Sequence, residues 1–162
     1  MRDEESRLLG IMKSFDTAMV TLRESNGALR ARHARLAHVG EHGEIWLAVM
    51  SDDGELPELA HDPRVAITVQ DGVKFASLSG RAQVVRSPGR AVELWQDAWR
   101  AWFPEGPHDA RLVLLRIRGE AAEYWDHSDL DESTLFVDSL RASVVAEVVR
   151  PDAAAPVAKH LN

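Results

Sequence analysis

The chain has no cysteine, which removes disulfides, thiol nucleophiles and thiolate metal sites together. No apolar run approaches the roughly 20 residues that a membrane-spanning helix needs. The opening segment, MRDEESRLLG, is acidic where a signal peptide carries an apolar core. Positive charge is in deficit: 19 Lys and Arg face 26 Asp and Glu, for a formal net charge of −7. That balance opposes a phosphate backbone and argues against nucleic acid as a partner. G-x-G-x-x-G, G-x-x-x-x-G-K-[ST] and the G-x-S-x-G elbow are all missing. A cytoplasmic protein with no membrane and no nucleic-acid partner is the expectation.

What is present is ordinary material for one core. The 162 residues are 45% hydrophobic and 28% charged, and read as one domain over 1–149 with a mobile tail at 150–162. Residues 4–15 place Leu8, Ile11, Met12 and Phe15 on one helical face. TAMVTLR (17–23) and ALRAR (28–32) flank Asn26-Gly27 as a hairpin, and EIWLAVMS (44–51) is a third strand. LPELAHDP is a short helix stopped by Pro63, and RVAITVQ (64–70) pairs with 73–86 across Asp71-Gly72. Gly80 marks a bulge or barrel corner in that long strand. Ser87 caps a helix with Pro88 first in it, on which Val92, Trp95, Trp99 and Trp102 share helical spacing. Residues 110–118 and 120–127 form a strand pair around Gly119. Leu135, Phe136, Leu140, Val144 and Val148 mark a closing helix. Antiparallel strands at short spacing with few helices indicate a mainly β fold, a closed or split barrel with flanking helices.

Several residues invite chemistry. His33 and His38 are five apart on a strand and so face opposite sides, His38 and His42 straddle a turn, and no metal-ligand spacing occurs. Trp46, Trp95, Trp99 and Trp102 read most simply as core or interface anchors. Trp125 ends a strand, where an aromatic edge can stack on a flat ligand, though the core reading is the simpler one. Arg30 and Arg32 share one face of the second strand, and at the rim of a barrel they need an anion. The barrel's own carboxylates or a ligand phosphate would each serve. The loop SDDGELPEL (51–59) sharpens the choice. It runs from strand to helix, a good place for a phosphate, yet carries Asp52, Asp53, Glu55 and Glu58 and no cation before Arg64.

From AWFPEGPHDARLVLLRIRGEAAEYWD (101–126), NGALRARHA, EIWLAVMSDDGELPELAHDPRVAI, FASLSGRAQVVR and AVELWQDAWRAWFPEGP, the chain resembles the general stress protein branch of the pyridoxamine 5′-phosphate oxidase-like flavoproteins over roughly residues 5–148. The resemblance implies a six-to-seven-stranded antiparallel split β-barrel that forms a homodimer with FMN at the subunit interface. It implies that Arg32 contacts the FMN phosphate with Arg30 beside it, and that Met50 and Ser51 line the ring and ribityl chain. Trp125 would approach the cofactor from the second subunit. His33 stands where the family has proline, and Glu55 where it has a phosphate-gripping lysine. DHSDLDESTLF directly follows Trp125, where true oxidases carry the arginine- and histidine-bearing segment with which they hold pyridoxamine phosphate, so that reaction is not expected. The expectation is an FMN-binding flavoprotein with a flavin-dependent redox role. The alternative is a non-enzymatic split barrel that has lost FMN and serves as a ligand-binding or interaction module.

Overall fold

The computed structural model describes residues 2–128, 133–137 and 146–147. Alternating burial builds its sheet. In β1 (Thr17–Arg23), Ala18, Val20 and Leu22 are buried, while Thr17, Met19 and Arg23 are exposed. The turn to β2 (Leu29–Val39) uses Gly27 at φ 86°, a conformation that glycine adopts without steric cost. β3 (Glu44–Met50) breaks the alternation, with Ile45 to Val49 all buried. Both its faces are covered. Ile45, Leu47 and Val49 join the barrel core, and Ala48 joins a second cluster with Ala91, Trp99, Phe103 and Leu114.

β4 (Arg64–Gln70), β5 (Lys74–Val85) and β6 (Leu112–Asp126) complete a six-stranded antiparallel barrel in the order β3-β2-β1-β4-β5-β6. The pairing of β3 with β6, from Glu44 opposite Arg118 to Met50 opposite Leu112, closes it. Closure removes the exposed edges that an open sheet must protect. β7 (Ser133–Val137) and β8 (Ala146–Glu147) extend the sheet beyond β6. From α1 (Arg2–Lys13), Leu8, Leu9, Ile11 and Met12 are buried in the barrel core. Leu56 and Leu59 enter the same core around α2 (Pro57–His61). Among the described residues no helix is long and apolar enough to cross a membrane.

The expected mainly β barrel is therefore found, with four local corrections. The helix expected through Trp102 is α3 (Pro88–Leu94) only; it stops at Trp95, whose ψ of 137° is extended, and a 3-10 turn (Asp97–Ala101) follows. The kink lets Trp99 bury in the second cluster while Val92 stays exposed. The strand pair expected around Gly119 is one continuous strand, because β5 shifts register there. Ser79 faces Ala121 and Gly80 faces Gly119, so the extra residue is Glu120 on β6 rather than Gly80 itself. The closing helix is contradicted where it can be read: Leu135 and Phe136 pair with Tyr124 and Glu123 as β7. Leu140, Val144, Val148 and the tail at 150–162 lie outside the described residues. Finally, β2 is bulged between Leu36 and His38, which resets its alternation and leaves both His33 and His38 exposed.

Gly80 supplies a close backbone approach, since a Cβ there would run into the Arg118 carbonyl oxygen. Gly80→Ala is expected to cost about 3 kcal/mol, as forced overpacking does. Gly10→Ala, in the middle of α1 with nothing within 4 Å, should stabilise by about 0.5–1 kcal/mol. Urea denaturation of both variants checks the pair of signs.

Candidate functional site

The acidic loop after β3 is folded onto itself. Ser51 is buried, and its N–H donates to the Arg111 carbonyl at 2.9 Å. The Gly54 N–H donates back to the Ser51 carbonyl at 3.1 Å, with Gly54 at φ 70° and its α-carbon against the Ala110 carbonyl. Ser51 Oγ lies 2.9 Å from Asp53 Oδ1 and 2.6 Å from the Glu55 carbonyl oxygen, and the Glu55 N–H donates to Asp53 Oδ1 at 3.0 Å. The Ser51 hydroxyl and the Glu55 N–H hold the Asp53 carboxyl below its ordinary range. Two of the loop's donors, the Ser51 hydroxyl and the Glu55 N–H, thus face its own acid. The Glu55 carboxylate turns to Arg86, just beyond β5, in an exposed bridge. Beside this loop lies a cavity of about 430 Å³ whose wall includes Gly54, Arg86, Ala91 and His108.

Arg32 sits on the other side of the same region. Its alternation with Ala34 and Leu36 turns it to the core face of β2, opposite Val20. There Arg32 Nη2 donates to Glu58 Oε1 of α2 at 2.9 Å, and the two side chains are only 22% and 11% exposed. The pair is half-made. Arg32 Nε and Glu58 Oε2 are buried with no hydrogen-bond partner, although guanidinium and carboxylate can match two bonds in parallel. Burial pushes the Glu58 carboxyl up, but its own backbone N–H and the Arg32 guanidinium outweigh that and hold it below the ordinary value. Arg30, on the same face, is exposed and reaches Glu24 at 3.4 Å. Arginine pairing with the barrel's own acids is therefore observed, with Glu58 rather than Glu55 as the partner of Arg32.

The remaining expected residues lie elsewhere. Met50 ends β3 and packs against the second cluster. His33 points out of the barrel, its ring 4.8 Å from that of Trp102. Trp125, half-buried on β6, stands opposite Phe75 and is not part of the Arg32 group. The structure thus brings Arg32, Ser51 and the loop acids to one end of the barrel and leaves His33 and Trp125 on its outside. Sequence reasoning missed three residues: Arg86, which holds Glu55; Glu58 as the specific counter-ion of Arg32; and Arg35, stacked 4.4 Å over Trp102. Arg35 carries a signal, being two residues from His33 and hence on its face. The other two pairings span 31 and 26 residues and carry none.

A family model described as pyridoxamine 5′-phosphate oxidase like matches residues 3–149. The chain is similar to a protein related to general stress protein 26 from Clostridium acetobutylicum, with 18% identity, a TM-score of 0.71 and coverage of 86% of this chain and 99% of that one. It is similar to a pyridoxamine 5′-phosphate oxidase-related, FMN-binding protein from Nostoc punctiforme, with 12% identity, a TM-score of 0.70 and coverage of 93% and 96%. It is also similar to the general stress FMN/FAD-binding protein of Xanthomonas citri, with 25% identity, a TM-score of 0.63 and coverage of 80% and 92%. No curated protein matches the chain.

Removing one member of a largely buried ion pair strands the other. Arg32→Met should therefore cost about 2–3 kcal/mol at neutral pH, somewhat below a sealed pair because water reaches part of Arg32. In that variant Glu58 is buried without its cation, so its pKa rises and the deficit should shrink as pH falls towards about 4. Arg32→Met combined with Glu58→Leu should recover most of the loss. Denaturation midpoints of the three proteins at both pH values check this.

Proposed function

The chain belongs to the pyridoxamine 5′-phosphate oxidase-like family, and from that membership we propose that it is an FMN-binding flavoprotein of the general stress type with a flavin-dependent redox role. The same reading makes it a cytoplasmic homodimer. Two similar proteins are described as FMN-binding and FMN/FAD-binding. When bound, the flavin would supply the electron chemistry, and the protein position and electrostatics.

One observation carries the reading for this chain: a largely buried arginine next to the loop after β3 has an Nε donor that no protein atom satisfies. A phosphate can take two guanidinium bonds where Glu58 takes one. Arg32 thus fits the phosphate, and would hold it by exchanging Glu58 for it. Arg30 adds positive charge beside it, and Ser51 and Met50 at the end of β3 would face the ribityl chain and the ring edge. Glu55 does not fit an anion. Its bridge to Arg86 neutralises it and draws it towards the end of β5. His33 and Trp125, both on the outside of the barrel, would reach the ring side, Trp125 from the partner subunit.

The flavin-free alternative has its own support, because Arg30 and Arg32 at this end of the barrel both already face a carboxylate. The two readings part on simple measurements. Arg32→Ala should weaken FMN at least tenfold, the loss of a charge-assisted hydrogen bond of roughly 1.5–3 kcal/mol, and leave riboflavin nearly unchanged. Glu58→Gln should tighten FMN about tenfold by releasing Arg32. Titration of flavin fluorescence reads both. Equal effects on the two flavins would remove Arg32 from the phosphate role, and no binding of either flavin would favour the alternative. Light scattering should return twice the chain mass of 18.0 kDa.

A further inference from the structure

On the outer face of β1, β2 and β4, away from Arg32, a groove encloses about 270 Å³. Register assembles it. Met19 lies opposite both His33 and Thr68, Thr17 lies opposite Arg35, and Trp102 comes in from the segment after α3 to form one wall. Its polar side chains are Thr17, His33, Arg35, Thr68 and Gln70, each able to donate a hydrogen bond. No Asp or Glu lines it, in a chain that has 26 of them.

Arg35 gives the groove its chemical demand. Its guanidinium stacks on Trp102, yet its Nε is buried without a partner. Among the described residues the Arg35 side chain makes no ion pair and no hydrogen bond, whereas Arg30, Arg32 and Arg86 each face a carboxylate. Stacking offsets only part of the cost of a half-buried cation. A counter-ion is missing. The walls also indicate what the anion is attached to. Met19 is 42% exposed and Trp102 36%, and a bare inorganic ion would leave both uncovered. The volume is below the roughly 300–1,000 Å³ of drug-sized sites, so the ligand is small.

We propose that this groove binds a small carboxylate with an apolar body, an aromatic acid in the simplest case. The carboxylate lies against Arg35 and His33, and the body lies between Met19 and Trp102. Arg35 supplies the charge, and Thr17, Thr68 and Gln70 orient the group through hydrogen bonds. The site meets the flavin reading only at His33, which that reading brings to the ring side; Arg35, Met19, Thr68 and Trp102, which carry the proposal, take no part in it.

The test titrates benzoate, benzyl alcohol and inorganic phosphate separately into the full chain. It follows the Trp102 indole and Arg35 Nε–H resonances, with light scattering on the same samples. Benzoate should saturate both resonances with a dissociation constant no weaker than about 10 mM, a threshold set by weak fragment affinities. Benzyl alcohol and phosphate should each bind at least tenfold more weakly. Arg35→Gln should cost benzoate at least tenfold, and Arg81→Gln, which loses only an exposed bridge to Glu120, should leave it unchanged. Thr68→Glu, at an exposed strand position, should abolish binding by placing a carboxylate in the groove. Failure of benzoate to saturate either resonance would overturn the proposal. So would equal binding of benzyl alcohol, tighter binding of phosphate, or benzoate binding indifferent to Thr68→Glu. A benzoate response that only tracks a change in molecular mass would overturn it as well.

Discussion

The pair between Arg32 and Glu58 organises this end of the molecule. A strand residue turned towards the core and a residue of the short helix α2 meet at 2.9 Å, largely out of water. Leu56 and Leu59 anchor the helix in the barrel core on either side of that contact. Neither charge can stay where it is without the other, since an isolated buried ion is far costlier than a paired one. The pair is nonetheless incomplete, with one donor and one acceptor left open. A contact that is required but unsaturated can be exchanged for a better anion. On this account, one interaction supports the fold in the free protein and selects the ligand in the bound one.

Charge is sorted between the two sides of β2. On the core-facing side Arg32 is balanced by Glu58, and in the nearby loop Asp53 is held by Ser51 and the Glu55 N–H, and Glu55 by Arg86. On the outer side, Arg35 and His33 stand with Trp102 and no acid. The net charge of −7 hides this asymmetry, which follows from the strand's alternation: residues one apart face different environments. Arg30 and Arg32, even-numbered, meet acids of the turn and of α2, and His33 and Arg35, odd-numbered, meet a groove without acids.

What was legible in the sequence was local. The Asn26-Gly27 and Asp71-Gly72 turns marked the hairpins β1–β2 and β4–β5, and Ser87 with Pro88 marked the start of α3, where Ser87 does cap the Arg90 N–H. What was illegible needed contacts distant in the chain. The spacing of Trp95, Trp99 and Trp102 fits a helix, but the buried position of Trp99 against Ala48 and Leu114 favours a break at Trp95. Gly119 looked like a turn until Gly80 came to lie opposite it. The bulge at Ala37 overturned a parity argument for His38. In the candidate site, the arginines and the acidic loop were recognisable as partners in charge, but which acid meets which arginine depended on where α2 comes to rest.

The claim that Arg32 exchanges Glu58 for a phosphate is tested most directly at Glu58 itself. Carbon-13 NMR of the Glu58 carboxyl, followed against pH with and without FMN, reads the exchange at the atom that must move. In the free protein the carboxyl should titrate below the ordinary glutamate value, as its pairing with Arg32 requires. With FMN saturating, it should titrate distinctly higher, having lost its cation to the phosphate and gained an anion beside it. An unchanged Glu58 titration with FMN demonstrably bound would contradict the account.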